Sequence, residues 1–359
     1  MRADCAVILA VVCLQPLLAD TAKDVNHRGL IAFHQGKYAE AEALYRQAVA
    51  MHRQSDARDV NGYAAALTNL ASTRQMGGHL EEARSILTEV LSLTHRLDPH
   101  NGITTDAMNQ LALLHQTSGQ HLKAVALLKQ ALERTSKGEA RAGTLHNLGA
   151  SYFEMGQLKK AREAFEAALA MNTAEERLAQ IPSSLSFLGM IAVRTGEVER
   201  AHELFQRAVD LRRKVHGPEH PSVGLTMSDL ATFYRETGRP REAAAAYEEA
   251  LKTLRASVGE KHLTFALVVC HYAELQRQQG YHAEALELYR QGIDILATTY
   301  GANHMRLASI YKNASASATK VGLRSEAKVY AARAKTLEEG RIDYGRHTVD
   351  VSAFAPRSR

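Results

Sequence analysis

Asn69, Asn109, Asn147 and Asn313 stand inside stretches that otherwise read as helix. Asn competes with the helix for backbone hydrogen bonds and is a poor interior residue. Its return therefore wants a reason. A carboxamide donates through nitrogen and accepts through oxygen, so it can pair with both the C=O and the N–H of an extended backbone. The chemistry implied is non-covalent recognition of another chain. The competing reading is that these amides bond only to neighbouring helices. Ser186 and Ser228 fall in the same pattern and offer hydroxyls. Arg235 and Arg277 offer forked cations for acidic groups, unless both are simply solvated.

Covalent chemistry has no comparable support. The sequence lacks a nucleophile elbow, a phosphate-binding glycine loop, a dinucleotide fingerprint, HExxH and CxxC. Carboxylate pairs such as Glu81–Glu82 and Glu248–Glu249 read as solvated helix surface. No enzyme, cofactor or metal site is expected. His216 and His220 lie in "KVHGPEHPSVG" on a loop, without the Cys or carboxylate partners that a metal wants. His220 instead returns as His262 and His304 at a constant interval. A fixed interval of that size marks a repeat array.

The elements that must position the amides follow from that repeat. Eight glycines separate paired helical patterns: Gly36, Gly78, Gly119, Gly156, Gly196, Gly238, Gly280 and Gly322. Five residues after each stands Ala, from Ala41 to Ala327. Seven before each the residue is always small, as at Gly29, Ala71, Gly149, Gly189 and Ser315. Nine after it stands a large apolar group, such as Tyr45, Leu87, Phe165, Phe205 or Tyr289, reduced to Ala331 in the last repeat. Glycine permits the sharp turn. The small residues let two antiparallel helices approach, and the large one is expected to fill the seam between neighbouring repeats. Pro240 suits the first turn of its helix, where a missing N–H costs nothing.

These columns, in "NLASTRQMGGHLEEARSIL" and "HNLGASYFEMGQLKKAREAFEAAL", resemble the tetratricopeptide repeat (TPR). The long spacing and the connector "HGPEHP" resemble the kinesin light chain subtype, with "VGEKHLTFA" and "YGANHMRLA" keeping its Gly and His but losing Pro. Gly217 is expected to end one helix, His220 to cap or pack the connector and Pro221 to start the next helix. The resemblance implies an all-α, right-handed α-solenoid (superhelix) of about eight helix-turn-helix units over residues 25–338. It also implies a concave groove lined by the first helix of each unit, with asparagines there contacting a bound peptide. Asn69, Asn109, Asn147 and Asn313 take that role here, joined by Ser186, Ser228, Arg235 and Arg277. Phe187, Asp229 and His271 interrupt the amide column, so binding is expected in repeats two to four. The step from Gly119 to Gly156 is shorter than the others and predicts a local change of superhelix pitch.

Composition sets the remaining bounds. Net charge is +5, but both signs are mixed along the helices. No basic run, zinc module or aromatic-basic platform supports nucleic-acid binding. "MRADCAVILAVVCLQPLLAD" reads as a secretory signal over residues 1–19, too short to span a membrane. Export to the periplasm or medium follows if the signal is cleaved, with no membrane insertion after its removal; an uncleaved chain would be cytoplasmic or membrane-tethered. Cys5 and Cys13 leave with it, and Cys270 stays alone as a buried apolar residue. Residues 339–359 form a tail in which Val349, Val351 and Phe354 suggest an extended segment. The expected function is a scaffold for a protein or peptide partner. The alternative is a structural subunit of an envelope assembly that uses repeat edges and the tail.

Overall fold

The computed structural model describes residues 20–35, 37–54, 59–76, 79–94, 102–135, 138–304 and 307–344, with backbone alone at 300 and 340–344. The signal at 1–19, Gly36, Gly78 and the tail residues Val349, Val351 and Phe354 lie outside the described residues. Sixteen helices follow in pairs. The first helices of the pairs are α1 (Ala22–His34), α3 (Val60–Met76), α5 (Gly102–Thr117), α7 (Glu139–Glu154), α9 (Ile181–Arg194), α11 (Pro221–Glu236), α13 (Leu263–Gln278) and α15 (Leu307–Lys320). The second helices are α2 (Tyr38–Gln54), α4 (Leu80–Thr94), α6 (His121–Arg134), α8 (Leu158–Ala174), α10 (Val198–His216), α12 (Pro240–Ser257), α14 (His282–Tyr300) and α16 (Arg324–Tyr344). No strand occurs among the described residues. The molecule is an all-α repeat solenoid. Its last helix extends beyond residue 338, as far as Tyr344.

The glycine turns form as the sequence requires. Gly119, Gly156, Gly196, Gly238, Gly280 and Gly322 all adopt φ between 69° and 85°, where a β-carbon is strained. Every Ala five residues further on is buried. The large side chains nine residues on are buried too, from Tyr45 to Tyr289. Their partners differ from the expectation. A β-carbon on Gly29 would come within 2.7 Å of the Tyr45 ring, one on Gly189 within 2.8 Å of Phe205, and one on Gly149 within 3.0 Å of Phe165. The large residue thus fills the space above the small residue of its own repeat. It locks the helix pair, because the two helices are antiparallel and place these positions opposite each other.

The connector follows the expected chemistry. Gly217 ends α10 at φ 87°. Pro221 starts α11, and His220 Nδ1 accepts the Ser222 N–H at 3.2 Å. His262 caps α13 in the same way, through Thr264 N–H at 3.2 Å. A capping nitrogen must be an unprotonated acceptor. Burial holds both imidazoles below their ordinary value, which keeps that acceptor available.

Successive odd-numbered helices pack on one another along the array, whereas successive even-numbered helices do not to that extent. Curvature therefore places the odd helices inside. The inner contacts are uneven. α5 and α7 pack closely across the short step, and α7 and α9 pack more loosely.

Candidate functional site: the concave face

The odd helices carry Asn69, Asn109, Asn147 and Asn313 on this inner face, each half-buried. The amides reach one another in pairs. Asn69 Nδ2 donates to Asn26 Oδ1 at 3.1 Å, and Asn147 Nδ2 donates to Asn109 Oδ1 at 3.4 Å. Asn109 Nδ2 donates to Thr144 Oγ1 at 2.9 Å. Between the pairs, Ser72 Oγ donates to Gln110 Oε1 at 2.9 Å. Gln116 Nε2 donates to the Asn147 carbonyl at 2.9 Å and to Ser151 Oγ at 2.6 Å. The amides therefore do bond across helices. That use does not exhaust them, since each carboxamide has four hydrogen-bonding positions. The bonds hold the side chains in place and leave part of that capacity unused.

The centre of the face is different. Phe187 stacks on Phe165 with centroids 4.6 Å apart, and His146 meets both rings edge-on. Burial pushes His146 down to about 4, so it is neutral at physiological pH. Ser186 and Ser228 are buried. Ser186 bonds to Asp229, and Ser228 Oγ lies 3.2 Å from His271 Nδ1. Asp229 is pushed up to about 6 by the protein around it, against the opposing effects of Ser186 and Arg212. His271 has a water-accessible surface, yet the enclosing walls of the solenoid, aided by Arg235, keep it below its ordinary value.

Arg235, Arg277 and Asn313 converge on one residue that the sequence reading missed. Arg277 grips Glu274 with two bonds of 2.8 and 2.6 Å. Asn313 Nδ2 donates to the same carboxylate at 3.0 Å, Tyr289 Oη at 2.8 Å and Gln278 Nε2 at 2.9 Å. Arg235 stands 3.9 Å away. Burial alone would raise Glu274, but these donors outweigh it and hold the carboxyl below the usual range. The cations expected to meet a ligand acid thus meet an acid of their own chain. A signal was available. Six residues before each turn glycine the other repeats carry Leu30, Ser72, Leu113, Ala150, Met190, Thr232 and Ala316, so Glu274 is the one charge in its column.

Among the described residues, no group of three or more His, Cys, Asp or Glu could hold a metal ion. None of their helices is long and apolar enough to cross a membrane.

The tetratricopeptide repeat model matches residues 21–95, 103–174 and 180–256, more than half of the chain, and a second such model matches 266–291. The chain belongs to the tetratricopeptide repeat family. Its curated relatives include Protein KINESIN LIGHT CHAIN-RELATED 1 of Arabidopsis thaliana, 24% identical over 40% of this chain and 25% of the relative. Protein KINESIN LIGHT CHAIN-RELATED 3 of the same plant is 22% identical over 46% and 27%. The chain thus spans about a quarter of the length of these relatives, and the likeness supports repeats of the kinesin light chain type. Among solved structures, the Rap conjugation gene regulator of plasmid pLS20, in complex with the Phr* peptide, superposes with TM-score 0.60 at 14% identity, over 92% of this chain and 98% of that one. A TPR protein from Parabacteroides merdae gives 0.53 at 16% identity, over 82% and 98%. At these identities the likeness is one of fold.

Proposed function

We propose that this chain is a non-catalytic scaffold that binds a partner protein or an extended peptide in the concave groove. The observation that carries the reading is the paired amide column on α1, α3, α5 and α7. Neighbouring helices orient these amides while leaving them hydrogen-bonding capacity toward the groove. A concave wall of ordered donors and acceptors suits an extended backbone, whose own N–H and C=O groups must be satisfied on burial. The Rap regulator with its Phr* peptide is a chain of this fold bound to a peptide, which is consistent with the reading.

Binding centres on repeats two to four, where Asn69, Asn109 and Asn147 stand, and Asn313 is held back by Glu274. The test is capture of partners from native extract with the wild-type chain, with Asn69→Ala/Asn109→Ala, and with a chain lacking residues 345–359. The groove reading expects a partner that the double variant loses and the truncation keeps. The reverse pattern would refute it and support an edge-packed structural subunit. Residues 1–19 are proposed to direct export, and an intact Met1 on the extracytoplasmic protein would contradict their cleavage.

A further inference from the structure

Two side chains of the first repeats touch the far end of the array. Tyr38, at the start of α2, and Met76, at the end of α3, pack against an apolar cluster whose buried members all come from α13, α14, α15 and α16. Leu263, Leu307 and Leu337 are among them. Helices α4 to α12 lie between the two groups along the chain. The first two repeats therefore meet the last two, and the solenoid closes on itself.

The sequence sets Met76 apart. Two residues before the turn glycine, the other seven repeats carry only polar residues, from His34 to Lys320. Glu154, Arg194, Glu236, Gln278 and Lys320 stand exposed there, whereas Met76 is half-buried. A lone methionine on an edge that otherwise faces water gains only where something covers it. Tyr38 is the one tyrosine in its own column, two residues after the glycine. Phe33 meets its ring edge-on at 5.3 Å, and burial pushes its phenol above the ordinary value. Both side chains stand on a firm base. Arg74, close to Met76 on α3, binds Glu42 of α2 at 3.0 Å and Glu82 of α4 at 3.2 Å.

The closure is made by side chains. Among the described residues, no helix of repeats one and two packs along a helix of repeats seven and eight, whereas neighbouring repeats share long interfaces. So light a contact can open while every repeat stays folded. The enclosure that holds His271 below its ordinary value, with Arg235 adding to the effect, fits a closed lumen.

We propose that Tyr38 and Met76 are an apolar latch that joins the two ends of the array around the groove, and that the groove is entered from the side only when this latch opens. The gating role rests on the groove reading; the closure itself does not.

The test places p-benzoylphenylalanine at position 38 of the full chain, irradiates it and maps the cross-links by mass spectrometry. Cross-links within one chain to α13–α16 are expected. Cross-links confined to repeats one and two would overturn the latch. So would cross-links between chains, which would give this surface to a second copy. A second arm measures entry. His271→Cys puts a thiol on the inner face, with Cys5 and Cys13 changed to Ser and Cys270 buried. Its reaction with a maleimide on a polyethylene glycol coil is compared with its reaction with N-ethylmaleimide, which corrects for local reactivity. A coil loses conformational freedom in a closed lumen and keeps it in an open trough. Met76→Gln gives repeat two the residue that Gln278 supplies in repeat seven, and leaves Tyr38 on Phe33. It should raise the polymer rate about tenfold relative to the small reagent and cut the cross-link yield by a similar factor. The chain cross-linked at position 38 should show a lower polymer rate than the untreated one. Equal rate ratios in all three chains would overturn the gating. Neither arm uses a partner, so a captured partner that ignores Asn69→Ala/Asn109→Ala would sink the groove reading and leave the closure standing.

Discussion

His115 offers a test in which the structure sets both sign and size. It is 1% exposed on α5, with Nδ1 2.9 Å from Gln120 Oε1 and Nε2 buried without a partner. Burial pushes its imidazole from 6.5 down to about 4, the repulsion of Arg84 and Lys123 adding to the fall and Gln120 opposing it. The unfolded chain takes this proton near 6.5, and the folded chain refuses it until about 4. Acid therefore favours the unfolded state. The stability held by the neutral ring is complete above 6.5 and is lost as pH falls from there to 4. The gap corresponds to about 3 kcal/mol. The perturbation is His115→Leu, which removes the titration at the cost of one hydrogen bond, about 1 kcal/mol. The assay is urea unfolding of both chains by far-UV circular dichroism from pH 7 to pH 4. His146 titrates in the same window but is present in both chains, so it cancels in the difference. The variant should gain about 3 kcal/mol on the wild type between pH 7 and pH 4. Parallel stability curves would refute the account of His115.

Other predictions follow from single contacts. Gly189→Val drives a side chain into the buried Phe205 ring and should cost roughly 1–3 kcal/mol, with faster hydrogen exchange centred on α9 and α10. His220→Ala removes the cap on Ser222 N–H and should cost about 1 kcal/mol in urea unfolding, while His220→Asn keeps most of it. Gly238→Ala places a β-carbon at φ 73° and should lower stability by about 1 kcal/mol, an effect absent at the helical, open Gly143. Glu274→Gln leaves Arg277 without its charge partner. It should destabilise α13 by about 1–3 kcal/mol, seen as hydrogen exchange that rises there before elsewhere.

The repeat was legible because each of its features is local. Gly238 and Gly280 mark turns that only glycine suits, and Ala243 and Ala285 mark close backbone approach. Gly217, His220 and Pro221 spell out a connector whose bonds all lie within a few residues. The direction in which Tyr45 or Phe205 points was not legible, because spacing alone does not say which facing helix supplies the hole. Pairing among the amides was equally hidden. Asn147 reaches Asn109, and Asn69 reaches Asn26, because the array sets consecutive odd-numbered helices side by side, a fact of the assembled solenoid. The convergence of Arg235, Arg277 and Asn313 on Glu274 joins residues from three helices, so no single stretch of sequence displays it.

The central claim is that recognition occurs on the inner face of the solenoid. The most direct measurement is a hydrogen-exchange footprint of the full chain with and without its captured partner. The account predicts slowed exchange on the odd-numbered helices, strongest in α3, α5 and α7, with the even-numbered helices unchanged. Protection confined to the even-numbered helices or to α16 would contradict it.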